Sequence, residues 1–322
     1  MSTTLAPERI LREMSDIWVD LAKQADGDAS AGVLRSCSMT LVVIAQEGED
    51  AMALGETLAA LMPEHPARAI VIWPKRNEPL AAKVTAQCWM PFGQRRQICC
   101  EQIEITAPEG SMPDVASVIS PIAAPDLPLI VWCRCRGTFE EPGFGALAEM
   151  ANKVIVDTSA WPDGKGAIGR LAAMAARGIT LGDLSWTHLT RWREMLSQVF
   201  ENAMYLARLP EISRVRMRYN AANMEPMARY MGAWVVNSLE NAGVRVELTL
   251  EPGADDPAVE LSGKDFRVEL VRQDGRMITT VNGLSDCTSL PPSSDYLLLS
   301  EELGIVQRDE TFERVLALAA RS

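Results

Sequence analysis

The stretch VTAQCWMPFGQRRQICCEQIEI, residues 84–105, sets Cys88, Cys99 and Cys100 among Gln87, Arg95, Arg96, Gln97, Glu101 and Gln102. Residues of these types at this density can do one of three things. A thiolate beside a base is a nucleophile. Several thiolates together clip a metal. Alternatively, the polar groups of a hairpin satisfy one another. A nucleophile needs a base, and the chain holds two histidines, His65 and His188. His65 precedes Pro66 at a helix exit, and His188 sits in DLSWTHLTRW, a Trp-rich stretch that reads as a packing surface. No G-x-S-x-G elbow occurs. For a metal, Cys133 and Cys135 could join Cys88, Cys99 or Cys100, because strand residues two apart share a face. Structural zinc uses C-x2-C knuckles and catalytic zinc leans on histidine, and neither spacing is present. The expectation is no metal, no catalytic set, and cysteines that act as small buried hydrophobes.

GKGAIG at 164–169 matches G-x-G-x-x-G. Dinucleotide binding needs those glycines at a strand end, where phosphate meets a helix N-terminus. Here SAWPD separates them from the strand KVIVDTS, so the segment reads as a turn and a helix start, and no cofactor is expected.

The surrounding elements follow from periodicity. PERILREMSDIWVDLAK is helical, SMTLVVIA a buried strand, DAMALGETLAALM a helix and RAIVIW a strand. AKVTAQCWM and QICCEQIEIT are strands joined by PFGQRR. A helix near 113–123, the strand LPLIVWCRC, a helix near 142–151 and KVIVDTS follow, and WTHLTRWREMLSQVFENAMYLARL reads as one long helix or a helix pair. Alternating strands and helices with one inserted hairpin predict a three-layer α/β domain with a mixed sheet over residues 1–208. From 209 to 322 the pattern changes. SRVRMRYN is a strand, and NMEPMARYMGAWVVNSLENAG is a helix with Asn223 as its N-cap. A meander of strands and the helix ETFERVLALAA complete a smaller α+β domain. Met224, Met227, Met231 and Trp234 fall at helical spacing and are expected in its core.

A net charge of −12 disfavours nucleic acid and anionic membranes as partners. Arg214, Arg216 and Arg218 form a local basic patch that could hold a small anion. Apolar runs such as LPLIVWC are too short to cross a bilayer, and MSTTLAPERILREM lacks a signal core, so a cytoplasmic location is expected. Seven cysteines, an odd number at irregular spacing, fit reduced thiols there.

Within the hairpin, strands that pair symmetrically about PFGQRR set Cys88 opposite Cys99, Ala86 opposite Glu101 and Val84 opposite Ile103. Those residues and Ile105 then share one face, apolar except for Glu101, while Thr85, Gln87, Cys100, Gln102 and Glu104 share the other. A carboxylate on a core face needs a partner. Arg134 on the LPLIVWCRC strand is the first expectation, with Arg95 and Arg96 next. The alternative is that Arg95, Arg96 and Gln97 form a sugar-phosphate pocket of a sensor or enzyme.

The run VLRSCSMTLVV, HPARAIVI, VTAQCWMPFGQRRQICCEQIEI, APDLPLIVWCR, VIVDTS and LSWTHLTRWREMLSQVF resembles the OpcA family of glucose-6-phosphate dehydrogenase assembly proteins, in order, over roughly the first two-thirds of the chain. The resemblance implies a non-catalytic partner of that dehydrogenase, acting by contact at the head of the oxidative pentose phosphate pathway. It supplies no catalytic residues to carry over.

Overall fold

The computed structural model describes residues 6–25, 33–75, 77–90, 97–141, 143–220 and 224–321. They fall into two compact units, Met1–Val156 with Asp295–Gln307, and Asp157–Ser294 with Arg308–Ser322.

The first unit holds α1 (Pro7–Ala25), β1 (Val33–Arg35), β2 (Met39–Ile44), α2 (Ala51–Leu61), β3 (Ala67–Pro74), β4 (Ala81–Trp89) and β5 (Gln97–Ala107). It continues through α3 (Met112–Ile122), β6 (Leu129–Cys133), α4 (Phe144–Met150) and β7 (Lys153–Val156). MTLVVI in β2 is buried at every position, as a strand covered on both faces must be. Its neighbours β3 and β6 run parallel to it, and β5 runs parallel to β3. The strands lie in the order β1-β5-β3-β2-β6-β7, with β4 antiparallel on β5. Because β4 spans nearly all of one edge of β5, β1 and β3 share the other, at Gln97–Cys99 and Gln102–Ala107 respectively. The expected mixed sheet with an inserted hairpin is present.

The second unit holds α5 (Gly164–Ala176), β8 (Leu181–Asp183), α6 (Leu184–Thr187), α7 (Thr190–Val199), α8 (Ala203–Leu206), β9 (Ile212–Tyr219), α9 (Glu225–Asn241) and β10 (Glu247–Pro252). β11 (Ala258–Gly263), β12 (Arg267–Gln273), β13 (Arg276–Val281) and β14 (Leu284–Ser289) then form a meander beside β9, and α9 carries the chain between the parallel pair β9 and β10. α10 (Asp295–Leu303) returns to the first unit and α11 (Glu310–Ala319) belongs to the second. Met227 and Met231 are buried, as the methionine spacing of α9 implies, while Trp234 is half-buried. Trp161, Trp186 and Trp192 are buried core residues.

Four details depart from the sequence reading. The stretch expected as one helix or a pair is three short ones. Asn202 restarts the last by accepting the Met204 N–H at 3.0 Å, a local bond that competes with continued helix. Helix α9 has Met224 at its cap position with no side-chain cap bond, and Asn223 lies outside the described residues. β14 was invisible because all six of its residues are exposed, so LSDCTS shows no alternation. Finally, the units divide at Val156/Asp157 and not at 208/209. Residues 157–208 fall in the second unit, where Tyr230 of α9 donates to Asp183 at 2.8 Å and Trp186 packs on Phe312 of α11 at 5.8 Å. Residues 295–307 rejoin the first unit because buried Glu302 pairs with Lys153 of β7 at 2.6 Å.

Candidate functional site

The hairpin has the expected register. Cys88 faces Cys99, Ala86 faces Glu101 and Val84 faces Ile103. Glu101, Ile103 and Ile105 are buried, while Gln102 and Glu104 on the other face are half-buried and joined by a bond of 3.1 Å. Cys88 and Cys99 are not the reduced packing thiols of the sequence reading: they form a disulfide. Directly opposed residues in a non-hydrogen-bonded antiparallel pair bring their side chains closest, and here the Cα atoms stand 4.1 Å apart. Cys100, by contrast, is a buried free thiol that donates to the Ser36 carbonyl at 3.2 Å, and burial pushes its pKa up to about 11. Cys133 is also free and buried, with its pKa raised by the same cause. It lies on β6, separated from β5 by β3 and β2. Among the described residues no group of three His, Cys, Asp or Glu is placed to hold a metal.

Glu101 is 3% exposed and does have arginine partners, but Arg134 is not one of them. Arg68 of β3 donates from Nε to Glu101 Oε2 at 2.8 Å and from Nη1 to the Ile122 carbonyl at 2.6 Å. Arg35 pairs with Glu101 Oε1, which also accepts the Trp18 indole N–H at 2.7 Å, and the Arg35 guanidinium lies 5.3 Å from the Trp18 ring centre. The network therefore staples β1, β3, β5, the end of α3 and α1 around one carboxylate. Arg95 and Arg96 lie outside the described residues, Gln87 is half-buried opposite Cys100, and Gln97 is exposed where β5 begins.

Arg134 leads to a site that the sequence reading missed. In an open parallel sheet of order 3-2-1-4-5, ligands enter at the carboxyl ends of the strands where the order reverses. The strands β5-β3-β2-β6-β7 repeat that order, with the reversal between β2 and β6. The loop after β2 should then be glycine-rich and present its N–H groups to phosphate. Here it reads Gln46-Glu47-Gly48-Glu49-Asp50. Asp50 caps α2 by accepting the Met52 N–H at 2.9 Å, and Glu49 accepts the Gln46 N–H at 2.8 Å. Across the crevice, Arg134 at the end of β6 donates to Glu49 at 2.7 Å and to Asp295 at 2.7 Å while stacking on Trp132 at 4.4 Å. Beside this clasp is a cavity of about 550 Å³ lined by Glu47, Glu49, Glu78, Glu104 and Lys75. A second, of about 250 Å³, is lined by Glu47, Lys75, Glu109 and Glu141. Burial and the neighbouring Glu109 raise the pKa of Glu141. Carboxylates standing where a diphosphate would need donors repel it, and one first-turn donor, Met52 N–H, is already taken by Asp50. These residues do not fit a dinucleotide. GKGAIG fits no better: it forms the first turns of α5, where Asp163 caps Gly166 N at 2.9 Å.

In the second unit, two arginines of the basic patch are paired in place. Arg216 pairs with Glu260, and Arg218 with Glu269. The buried group of note is Asp183, which accepts from Thr158 N and Oγ1, Ser185 N and Tyr230 Oη at 2.6–3.1 Å. Burial, and then the nearby Asp157 carboxylate, raise its pKa to about 7. His188 is half-buried beside Arg272, and burial and that charge lower its pKa. Because Asp183 titrates higher in the folded chain than in the unfolded one, the native state binds its proton more tightly. Its stabilising contribution is complete below about pH 4 and is lost as pH rises through about 7. Asp183→Asn, which never ionises, is expected to be destabilising at pH 4.5 and progressively less so by pH 8. Urea midpoints across that range measure the effect, and a midpoint difference independent of pH would sink it.

Residues 58–173 match the family described as glucose-6-phosphate dehydrogenase subunit N-terminal domain, and residues 179–316 match the corresponding C-terminal domain. The chain belongs to the OpcA family. Relatives named OxPP cycle protein OpcA include one from Nostoc punctiforme, 26% identical over 55% of this chain, and one from Synechocystis, 25% identical over 62%. The matched stretches span 38% and 42% of those relatives, so this OpcA chain corresponds to less than half of their length. A dehydrogenase from Chromobacterium violaceum has a similar backbone path, with TM-score 0.46, 10% identity and coverage of 91% of this chain and 93% of its own. A NAD-binding oxidoreductase from Klebsiella pneumoniae gives TM-score 0.49, 8% identity and coverage of 89% and 95%.

Proposed function

We propose that the chain promotes the assembly or activity of glucose-6-phosphate dehydrogenase through protein contact and does not itself catalyse a reaction. Family membership supports the link to that dehydrogenase. The observation that carries the non-catalytic half is the switch-point loop Gln46–Asp50, whose carboxylates and Arg134 clasp take the place of a phosphate cradle. A doubly wound sheet without that cradle keeps its scaffold and loses the means of holding a dinucleotide. The sugar-phosphate reading of the hairpin rests on Arg95, Arg96 and Gln97, of which Arg95 and Arg96 lie outside the described residues and Gln97 is exposed where β5 begins. A cytoplasmic setting is part of the proposal; no described helix is long and apolar enough to cross a membrane.

The test is reconstitution. Purified alone, the chain is expected to turn over no glucose 6-phosphate with NADP. Mixed with the dehydrogenase from the same cell at low enzyme concentration, it is expected to raise the oligomer fraction or the specific activity, because binding to the assembled form shifts assembly by mass action. Unchanged sedimentation and unchanged kinetics over a wide range of mixing ratios would refute the contact role. Turnover by the chain alone would refute the other half.

A further inference from the structure

Strand β4 is the outer strand of the hairpin, and the direction of its peptide groups can be read from its neighbour. Ser36 N donates to the Cys99 carbonyl at 3.1 Å and Lys75 N to the Ala107 carbonyl at 2.9 Å. The odd-numbered residues of β5 therefore turn their N–H and C=O groups toward β1 and β3, away from β4. In an antiparallel pair, residues opposite those positions also turn away. These are Ala82, Val84, Ala86 and Cys88, opposite Ile105, Ile103, Glu101 and Cys99. Their donors and acceptors meet no protein partner among the described residues. Proteins commonly blunt such an edge with proline, bulges or several charges. β4 has no proline, an unbroken register with β5, and one charged residue, Lys83.

We infer that this edge pairs with the same edge of a second copy of the chain, in an antiparallel two-fold arrangement centred on Thr85. The edge is complementary to itself, and a centre on Thr85 gives the longest overlap of Ala81–Trp89 with no like charges opposed. A two-fold at the midpoint of Ala81–Trp89 sets Val84 against Ala86 and Ala82 against Cys88 of the other copy, so that every outward group meets another outward group. About eight hydrogen bonds result, two for each opposed pair. Lys83 then faces Gln87, not another Lys83, and Thr85 faces Thr85, a favourable cross-strand pair. Both sheets become one continuous sheet through the contact. The inference uses only the first unit and stands independently of the dehydrogenase reading.

Two substitutions test it in the full chain. Ala86→Pro removes an outward N–H and no bond to β5, and proline is tolerated on a free edge. Sedimentation of the parent should show a concentration-dependent dimer, and Ala86→Pro should be monomeric with an unchanged circular dichroism spectrum. Thr85 sits at a non-hydrogen-bonded position of the new pair, where opposed side chains approach most closely. Thr85→Cys should therefore form a covalent dimer under mild oxidation, above the background that exposed Cys287 gives in the parent, while Gln87→Cys should not. If Ala86→Pro loses its fold, the Thr85→Cys and Gln87→Cys contrast still decides. A parent that stays monomeric at all concentrations overturns the inference, as does a dimer in which both cysteine variants cross-link equally. Monomeric parent chain whose binding to the dehydrogenase is lost in Ala86→Pro would also overturn it, by showing that the strand comes from the other protein.

Discussion

Arg68→Met is expected to destabilise the chain by about 3–5 kcal/mol, the usual cost of stripping one partner from a buried ion pair. The cost is high because Glu101 is nearly inaccessible to water and Arg68 does two jobs, pairing with Glu101 and satisfying the Ile122 carbonyl at the end of α3. Arg35 stays on Glu101 but is itself half exposed, so it compensates only in part. With a total folding stability of roughly 5–15 kcal/mol, such a loss places the variant near the threshold of folding. Pairing the change with Glu101→Gln should recover much of the loss, because the orphaned charge goes with it. Urea unfolding of the two single variants and the double variant gives the coupling. A loss below about 1 kcal/mol for Arg68→Met would show that Arg35 and Trp18 alone support the carboxylate.

Lys153→Met is expected to cost a similar 3–5 kcal/mol. Lys153 is 1% exposed, and its ammonium reaches Glu302 Oε1 at 2.6 Å and the Ile305 carbonyl at 2.6 Å. Removing the cation takes the Lys153 ion pair from buried Glu302 and the Lys153 bonds from the end of α10. The double variant Lys153→Met with Glu302→Leu should be close to neutral or more stable, since packed apolar groups replace two desolvated charges. Thermal and urea unfolding distinguish the outcomes. If the double variant is as unstable as the single one, the carbonyl contacts of Lys153 and not its charge pairing hold α10 in place.

The hairpin was readable from the chain alone because its determinants are local. A period of two and a symmetric turn decide which residue faces which, so the pairing of Cys88 with Cys99 and the inward direction of Glu101 followed from counting. The resemblance to OpcA was likewise carried by consecutive residues and matches the family found over 58–173 and 179–316. The partner of Glu101 was not readable. It depends on β3 lying parallel to β5, which brings in Arg68 from 33 positions away, and no periodicity encodes which strands become neighbours. The same ignorance hid the crevice. Gln46–Asp50 is an ordinary polar turn until the order β5-β3-β2-β6-β7 shows that it stands where a phosphate cradle would. Arg134, on the expected strand, turned to Glu49 and Asp295 because β6 lies beside β2 and not beside β5. Side-chain direction along a strand is set by covalent geometry. The identity of a buried charge's partner is set by strand order, and strand order is a property of the packed sheet, decided by which apolar faces bury one another best.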